Sequence, residues 1–199
     1  LRIPVTQGGV IDLAALERLL QEEKPALISV MLVNNETGVI QPVADIVRMA
    51  RRLSPQTRVH TDAVQAAGRI ALDFAALQAD YMTLSAHKMG GPQGAGAIIM
   101  APGAKIEKLF HGGGQEKRQR PGTENVAAIA GFGVAAKIAQ ETMPEFQALS
   151  ALRDALETRL KTLEPRLKIF GGNAARISNT SQISLPGVPA ETQLMALDL

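Results

Sequence analysis

Ala26-Leu27-Ile28-Ser29-Val30-Met31-Leu32-Val33 is a nearly continuous apolar run after Pro25. Such a run predicts a strand buried on both faces, as in a parallel sheet. Across residues 43–53 the apolar positions Val43, Ile46, Val47 and Ala50 follow helical spacing. Arg58-Val59-His60-Thr61, Tyr81-Met82-Thr83-Leu84-Ser85 and Gly96-Ala97-Ile98-Ile99-Met100 read as three more strands. Strands alternating with helices predict an α/β layered sheet, mostly parallel.

From 125 to 140 the spacing is helical again, with Ala-rich, Gly-interrupted faces suited to close packing. Pro144 opens another helix, with Phe146, Leu149, Leu152, Leu156 and Leu160 on one stripe that reads as core. Short strands follow around 168–170 and 181–185, then a final helix from Ala190. A boundary is expected near Met143, with residues 1–143 as one domain and 144–199 as the start of a smaller α+β domain.

Composition narrows the function classes. At 46% hydrophobic residues the chain can fill a sizeable core. A net charge of +2, 3% aromatics and no basic block give no nucleic-acid footprint. Lys117, Arg118 and Arg120 make the densest positive stretch, readable as a solvated loop or an anion contact. No run of about 18 apolar residues spans a membrane, and no secretory leader is visible. The expectation is a soluble cytoplasmic protein. The first residue is Leu1 and the last five read as mid-helix, so a fragment is expected. There is no cysteine, which excludes disulfides, cysteine-held metals and thiol catalysis within these 199 residues. No metal site is expected.

Polar groups stand at the ends of the apolar strands: Asn34 to Gly38 after the first, Asp62 with Gln65 after the second, Ser85, His87 and Lys88 after the third. Ligands of open parallel sheets bind beyond the carboxyl ends of strands, so these side chains are candidates for one crevice. A lysine there can form an imine with an aldehyde. An aspartate can hold a pyridine nitrogen protonated. Hydroxyl and imidazole groups can bind a phosphate, and Asn35 and Gln65 a ring hydroxyl. Each has a plainer alternative: Asp62 as a turn cap, Lys88 as a solvated loop residue, His87 as a structural group.

Taken together, several blocks resemble the cysteine desulfurases, pyridoxal-phosphate (PLP) enzymes of the class V aminotransferase group with the fold type I architecture. They are Val33-Asn34-Asn35-Glu36-Thr37-Gly38, His60-Thr61-Asp62-Ala63-Val64-Gln65-Ala66-Ala67-Gly68 and Ser85-Ala86-His87-Lys88-Met89-Gly90-Gly91-Pro92-Gln93-Gly94. His111-Gly112-Gly113-Gly114-Gln115-Glu116 and Arg120-Pro121-Gly122-Thr123-Glu124-Asn125 follow in the same order.

The resemblance implies a large domain built on a mostly parallel sheet, with part of a smaller α+β C-terminal domain. It implies that Lys88 is the Schiff-base lysine, Asp62 the partner of the pyridine nitrogen and Gln65 the partner of the phenolic oxygen. Asn35 would lie near that oxygen and the substrate. Ser85 and His87 would be phosphate ligands, and Thr123 a phosphate ligand reaching the partner subunit's site in a homodimer. The Gly112-Gly113-Gly114 segment is readable as a mobile loop near the active sites or as a surface turn needing positive φ.

The implied reaction takes L-cysteine to L-alanine, with Lys88 as base, and passes sulfur through an enzyme persulfide to an acceptor such as an iron–sulfur scaffold or thiolated tRNA. The family's nucleophilic cysteine and its ring-stacking histidine have no counterpart here, so this chain alone is expected to be inactive. Another class V enzyme (a selenocysteine lyase or an aminotransferase) and a non-catalytic, dimer-forming relative are the alternatives.

Overall fold

The computed structural model describes residues 1–198. Helix α1 (Leu13–Glu22) starts at Asp12, whose carboxylate accepts from the backbone N–H of Ala14 and Ala15 at 3.0 Å each. It buries Ala15, Leu16 and Leu20. Strand β1 (Leu27–Met31) leads to helix α2 (Val43–Leu53), which buries the Val43, Ile46, Val47 and Ala50 stripe read from the sequence. Strand β2 (Arg58–Asp62), the single turn α3 (Phe74–Leu77) and strand β3 (Tyr81–Ser85) follow. A four-residue 3-10 turn (Ala86–Met89) joins β3 to β4 (Gly96–Met100).

The four strands form one sheet in the order β1-β2-β3-β4. The first three run parallel, and β4 is antiparallel to β3. Ile28, Val59 and Met82 point to the face covered by α1 and α2, where Leu16, Leu20, Ile46 and Val47 complete the main core. Asp80 pins the amino ends of the strands. Its buried carboxylate accepts from Arg51 at 2.7 Å, from Arg58 at 2.8 Å and from the backbone N–H of Val59 at 2.7 Å.

The opposite sheet face differs from the sequence expectation. Strand β1 is buried on one side only, since Leu27 and Met31 are 52% and 42% exposed. Among the described residues no helix layer covers that face, so an apolar run that reads as doubly buried alternates between core and surface.

A short α4 (Gln115–Arg118) precedes α5 (Val126–Glu141), which starts at Asn125, and α6 (Met143–Leu163), with Pro144 in its first turn. Strands β5 (Lys168–Phe170) and β6 (Gln182–Ser184) pair antiparallel, and α7 (Ala190–Leu197) ends the described chain.

The leucine stripe of α6 is not core: Leu152 is 70% and Leu156 50% exposed, whereas Glu157 is 8% exposed. The helix is oriented by polar chemistry. Glu157 accepts from Arg176 at 2.8 and 2.9 Å and from Ser181 at 2.8 Å, and Arg153 donates to the Ile177 carbonyl. The 175–177 stretch then bonds to the loop after β1, through Ile40 N–H to the Ala175 carbonyl and Ile177 N–H to the Gly38 carbonyl. The later part of the chain thus braces the loop that carries Asn35.

Candidate functional site

Because β1, β2 and β3 are parallel and nearly level in register (Met31 opposite Asp62, Asp62 opposite Thr83), their carboxyl ends open on one edge. Three loops leave that edge. In the first, Asn34 Oδ1 accepts from the N–H groups of Glu36 and Thr37 at 3.0 and 2.9 Å, an Asx turn that presents Asn35 to solvent. Gly38 closes the turn at φ 72°, and a Cβ there would stand 2.8 Å from Thr180 Cβ. Glycine is required at this position on both counts.

The second loop begins at Asp62. Its Oδ1 accepts from Val64 N–H at 2.9 Å, so the turn-cap reading and the ligand reading both apply to one side chain. The other carboxylate oxygen is the one left for a ligand. Ala63, Ala66 and Ala67 bury the inner side of the loop and leave Gln65 partly exposed on the outer side.

The third loop is the 3-10 turn, anchored by the fully buried Ala86. Gly90 ends it at φ 84°. Ser85 Oγ and His87 Nδ1 lie 2.8 Å apart, while His87 and Lys88 face solvent. Among the described residues no carboxylate pairs with the Lys88 ammonium. Helix α5 backs this turn closely through small residues. A Cβ on Gly91 would meet Ala86 O at 3.0 Å and Ala135 Cβ at 3.1 Å, and one on Gly131 would meet Pro92 at 3.1 Å.

Arg69, which the sequence reading did not single out, ties the second loop to the third. Its Nη1 donates to Gln65 Oε1 at 2.7 Å and to the Gln65 carbonyl at 2.9 Å, and its Nη2 donates to the Lys88 carbonyl at 3.3 Å. The guanidinium sits 5.9 Å from the centre of the Phe146 ring, and burial pulls its pKa below the ordinary arginine value. His60 was also unassigned. It bridges Ser29 Oγ at 2.8 Å and Thr83 Oγ1 at 3.2 Å, making a polar row across the open sheet face that also carries Asp62.

Asn35, Asp62, Gln65, Ser85, His87 and Lys88 therefore share one edge, while Thr123 lies on the loop before α5. The Thr123 hydroxyl makes no hydrogen bond to any of the six among the described residues, and its loop is folded around Arg120, which donates to the carbonyls of Pro121, Gly122 and Thr123. In the neighbouring segment positive φ falls on Glu116, Lys117 and Arg118 rather than on Gly112, Gly113 or Gly114. Gly112 serves close packing instead, since a Cβ there would lie 2.7 Å from Pro121 Cβ. Among the described residues no group of three or more His, Cys, Asp or Glu could hold a metal, and no helix is long and apolar enough to cross a membrane.

The chain is 38% identical over 200 residues to a cysteine desulfurase IscS of Clostridium botulinum, covering 99% of this chain and 50% of that protein. A cysteine desulfurase of Sinorhizobium fredii is 37% identical over 198 residues, again across half its length. Among solved structures, a NifS-like protein from Rickettsia africae superposes with a TM-score of 0.92 at 39% identity, covering 98% of this chain and 54% of that one. DndA from Streptomyces lividans gives 0.79 at 32%, covering 98% and 55%. The chain thus spans about half the length of the relatives it matches. The class-V aminotransferase family model matches residues 1–199, the whole chain, and to that family the chain belongs.

Proposed function

We propose that the protein carrying this chain is a PLP-dependent cysteine desulfurase that converts L-cysteine to L-alanine and hands the sulfur to an acceptor. The observation that carries the reading is the gathering of Asn35, Asp62, Gln65, Ser85, His87 and Lys88 at one sheet edge. The relatives named as cysteine desulfurases support the choice of substrate.

The donor set suits the cofactor. An exposed amine meets an aldehyde, a carboxylate with one oxygen to spare meets a pyridine nitrogen, and a paired hydroxyl and imidazole meet a phosphate. When bound, PLP supplies a ring that withdraws electrons from the substrate Cα. Lys88 Nζ would hold the cofactor's aldehyde carbon and, as a free amine, would be the base placed to take the substrate's Cα proton. Asp62 would keep a proton on the pyridine nitrogen. Gln65 and Asn35 would orient the ring oxygen and the substrate, and Ser85 with His87 would hold the phosphate.

With no cysteine in these 199 residues, the thiol that takes the sulfur comes from outside them. Thr123, which makes no hydrogen bond to the other six among the described residues, is assigned a phosphate contact to a second subunit of a cytoplasmic homodimer, as the family resemblance implies. The sulfur acceptor is a protein such as an iron–sulfur scaffold, or one on the route to thiolated tRNA, and the chain divides into residues 1–143 and 144–199.

The test is to give the full-length protein L-cysteine and a reducing thiol, then quantify products. Equal amounts of L-alanine and sulfide are expected. Transfer of the amino group to a 2-oxo acid without alanine, or turnover of selenocysteine alone, would contradict the proposal.

A further inference from the structure

Arg69 occupies a position that the proposed roles of Gln65 and Lys88 leave unexplained. A guanidinium has only donors, so the Gln65 atom 2.7 Å from Nη1 must be the amide oxygen. This fixes the amide orientation, which is otherwise ambiguous. With Oε1 engaged, Nε2, a donor only, is the amide atom left for a ligand. The same guanidinium reaches the Lys88 carbonyl at 3.3 Å and rests over Phe146, so one rigid fork spans two loops and a helix.

We infer that Arg69 is a positioning residue: by holding Gln65 Oε1 and the Lys88 carbonyl, it aims the Gln65 amide N–H at the cofactor's ring oxygen and sets the lysine turn relative to it. Without Arg69 the Gln65 amide is free to turn, and half of its orientations bring an oxygen lone pair toward an anionic ring oxygen. The inference rests on the cofactor reading proposed above. It adds a residue that touches neither cofactor nor substrate and acts through Gln65.

The test is a pH titration of the cofactor's visible absorption band in the full-length holoprotein, comparing parent, Arg69→Ala, Arg69→Lys, Gln65→Ala and the Arg69→Ala/Gln65→Ala double variant. A donated hydrogen bond favours the anionic ring oxygen, so losing it raises the titration midpoint. Arg69→Ala should raise it by roughly 0.5–1 pH unit, the size one hydrogen bond carries. In the Gln65→Ala background the same substitution should add nothing.

Arg69→Lys keeps the charge and the stem over Phe146 but loses the fork, and should shift the midpoint in the same direction by less. It also reports should Arg69→Ala fail to fold. An unmoved midpoint, or an equal shift with and without Gln65, overturns the inference while leaving the cofactor site standing. A parent protein that develops no visible band with PLP defeats the site reading, and this inference with it.

Discussion

Asp62 combines two jobs that a single substitution can separate. Its Oδ1 caps Val64 N–H at 2.9 Å, and an asparagine oxygen can accept that bond equally well. The negative charge is needed only if a protonated pyridine nitrogen sits opposite. Asp62→Asn in the full-length enzyme should therefore keep the fold and the melting temperature while lowering kcat by about a hundredfold or more, the range of a lost proton-holding group. A near-normal rate in that variant would make Asp62 a turn cap alone. At this scale the placement of Asn35, Asp62, Gln65, Ser85, His87 and Lys88 along one sheet edge was legible in the sequence, because they stand at strand ends and strand ends of a parallel sheet share an edge. Arg69 was not legible: a lone arginine after Gly68 carries no motif, and its value lies in reaching a loop 19 positions away.

Helix α6 shows where spacing misleads. A leucine at every third or fourth position predicts a buried stripe, yet Leu152 is 70% exposed and the buried position is Glu157 at 8%. What orients the helix is an ion pair with Arg176, whose side chain is 4% exposed, together with the Ser181 hydroxyl. The Arg176 bonds hold the Glu157 carboxyl below its ordinary range, with burial opposing them and Ser181 and Arg153 adding to them. Glu157→Ala leaves a buried guanidinium unpaired and should destabilise the protein by about 3 kcal/mol at pH 7, read from urea unfolding. A folded pKa below the unfolded value means that this stabilisation is fully present above the unfolded carboxyl pKa of about 4.3 and is lost as pH falls on through the lower folded pKa. The stability difference between parent and variant should therefore narrow as pH falls below the ordinary carboxyl range. A constant difference from pH 7 to pH 3 would show that Glu157 acts by packing rather than by charge. The 3-10 turn after β3 was equally hidden, being four residues long and set by contact with α5 rather than by its own propensity.

For the molecule as a whole, the alternation of strands and helices was enough to read a mostly parallel α/β sheet, and the family follows from motifs lying in order along it. Two features were not legible: that β4 runs against β3, and that one sheet face and the outer sides of α5 and α6 remain uncovered among the described residues. Periodicity reports which face of an element is apolar, not what lies against it. The chain spans about half the length of its relatives, so the covering surface is a matter for the full-length protein. Whether this sheet edge holds PLP through Lys88 can be read by reducing the full-length protein with borohydride in the presence of PLP, digesting it and mapping the modified peptide by mass spectrometry. One pyridoxyl label is expected, on Lys88 within Ser85-Ala86-His87-Lys88-Met89-Gly90-Gly91, and none in Lys88→Ala. Label on another lysine, or unchanged labelling in Lys88→Ala, would contradict this assignment.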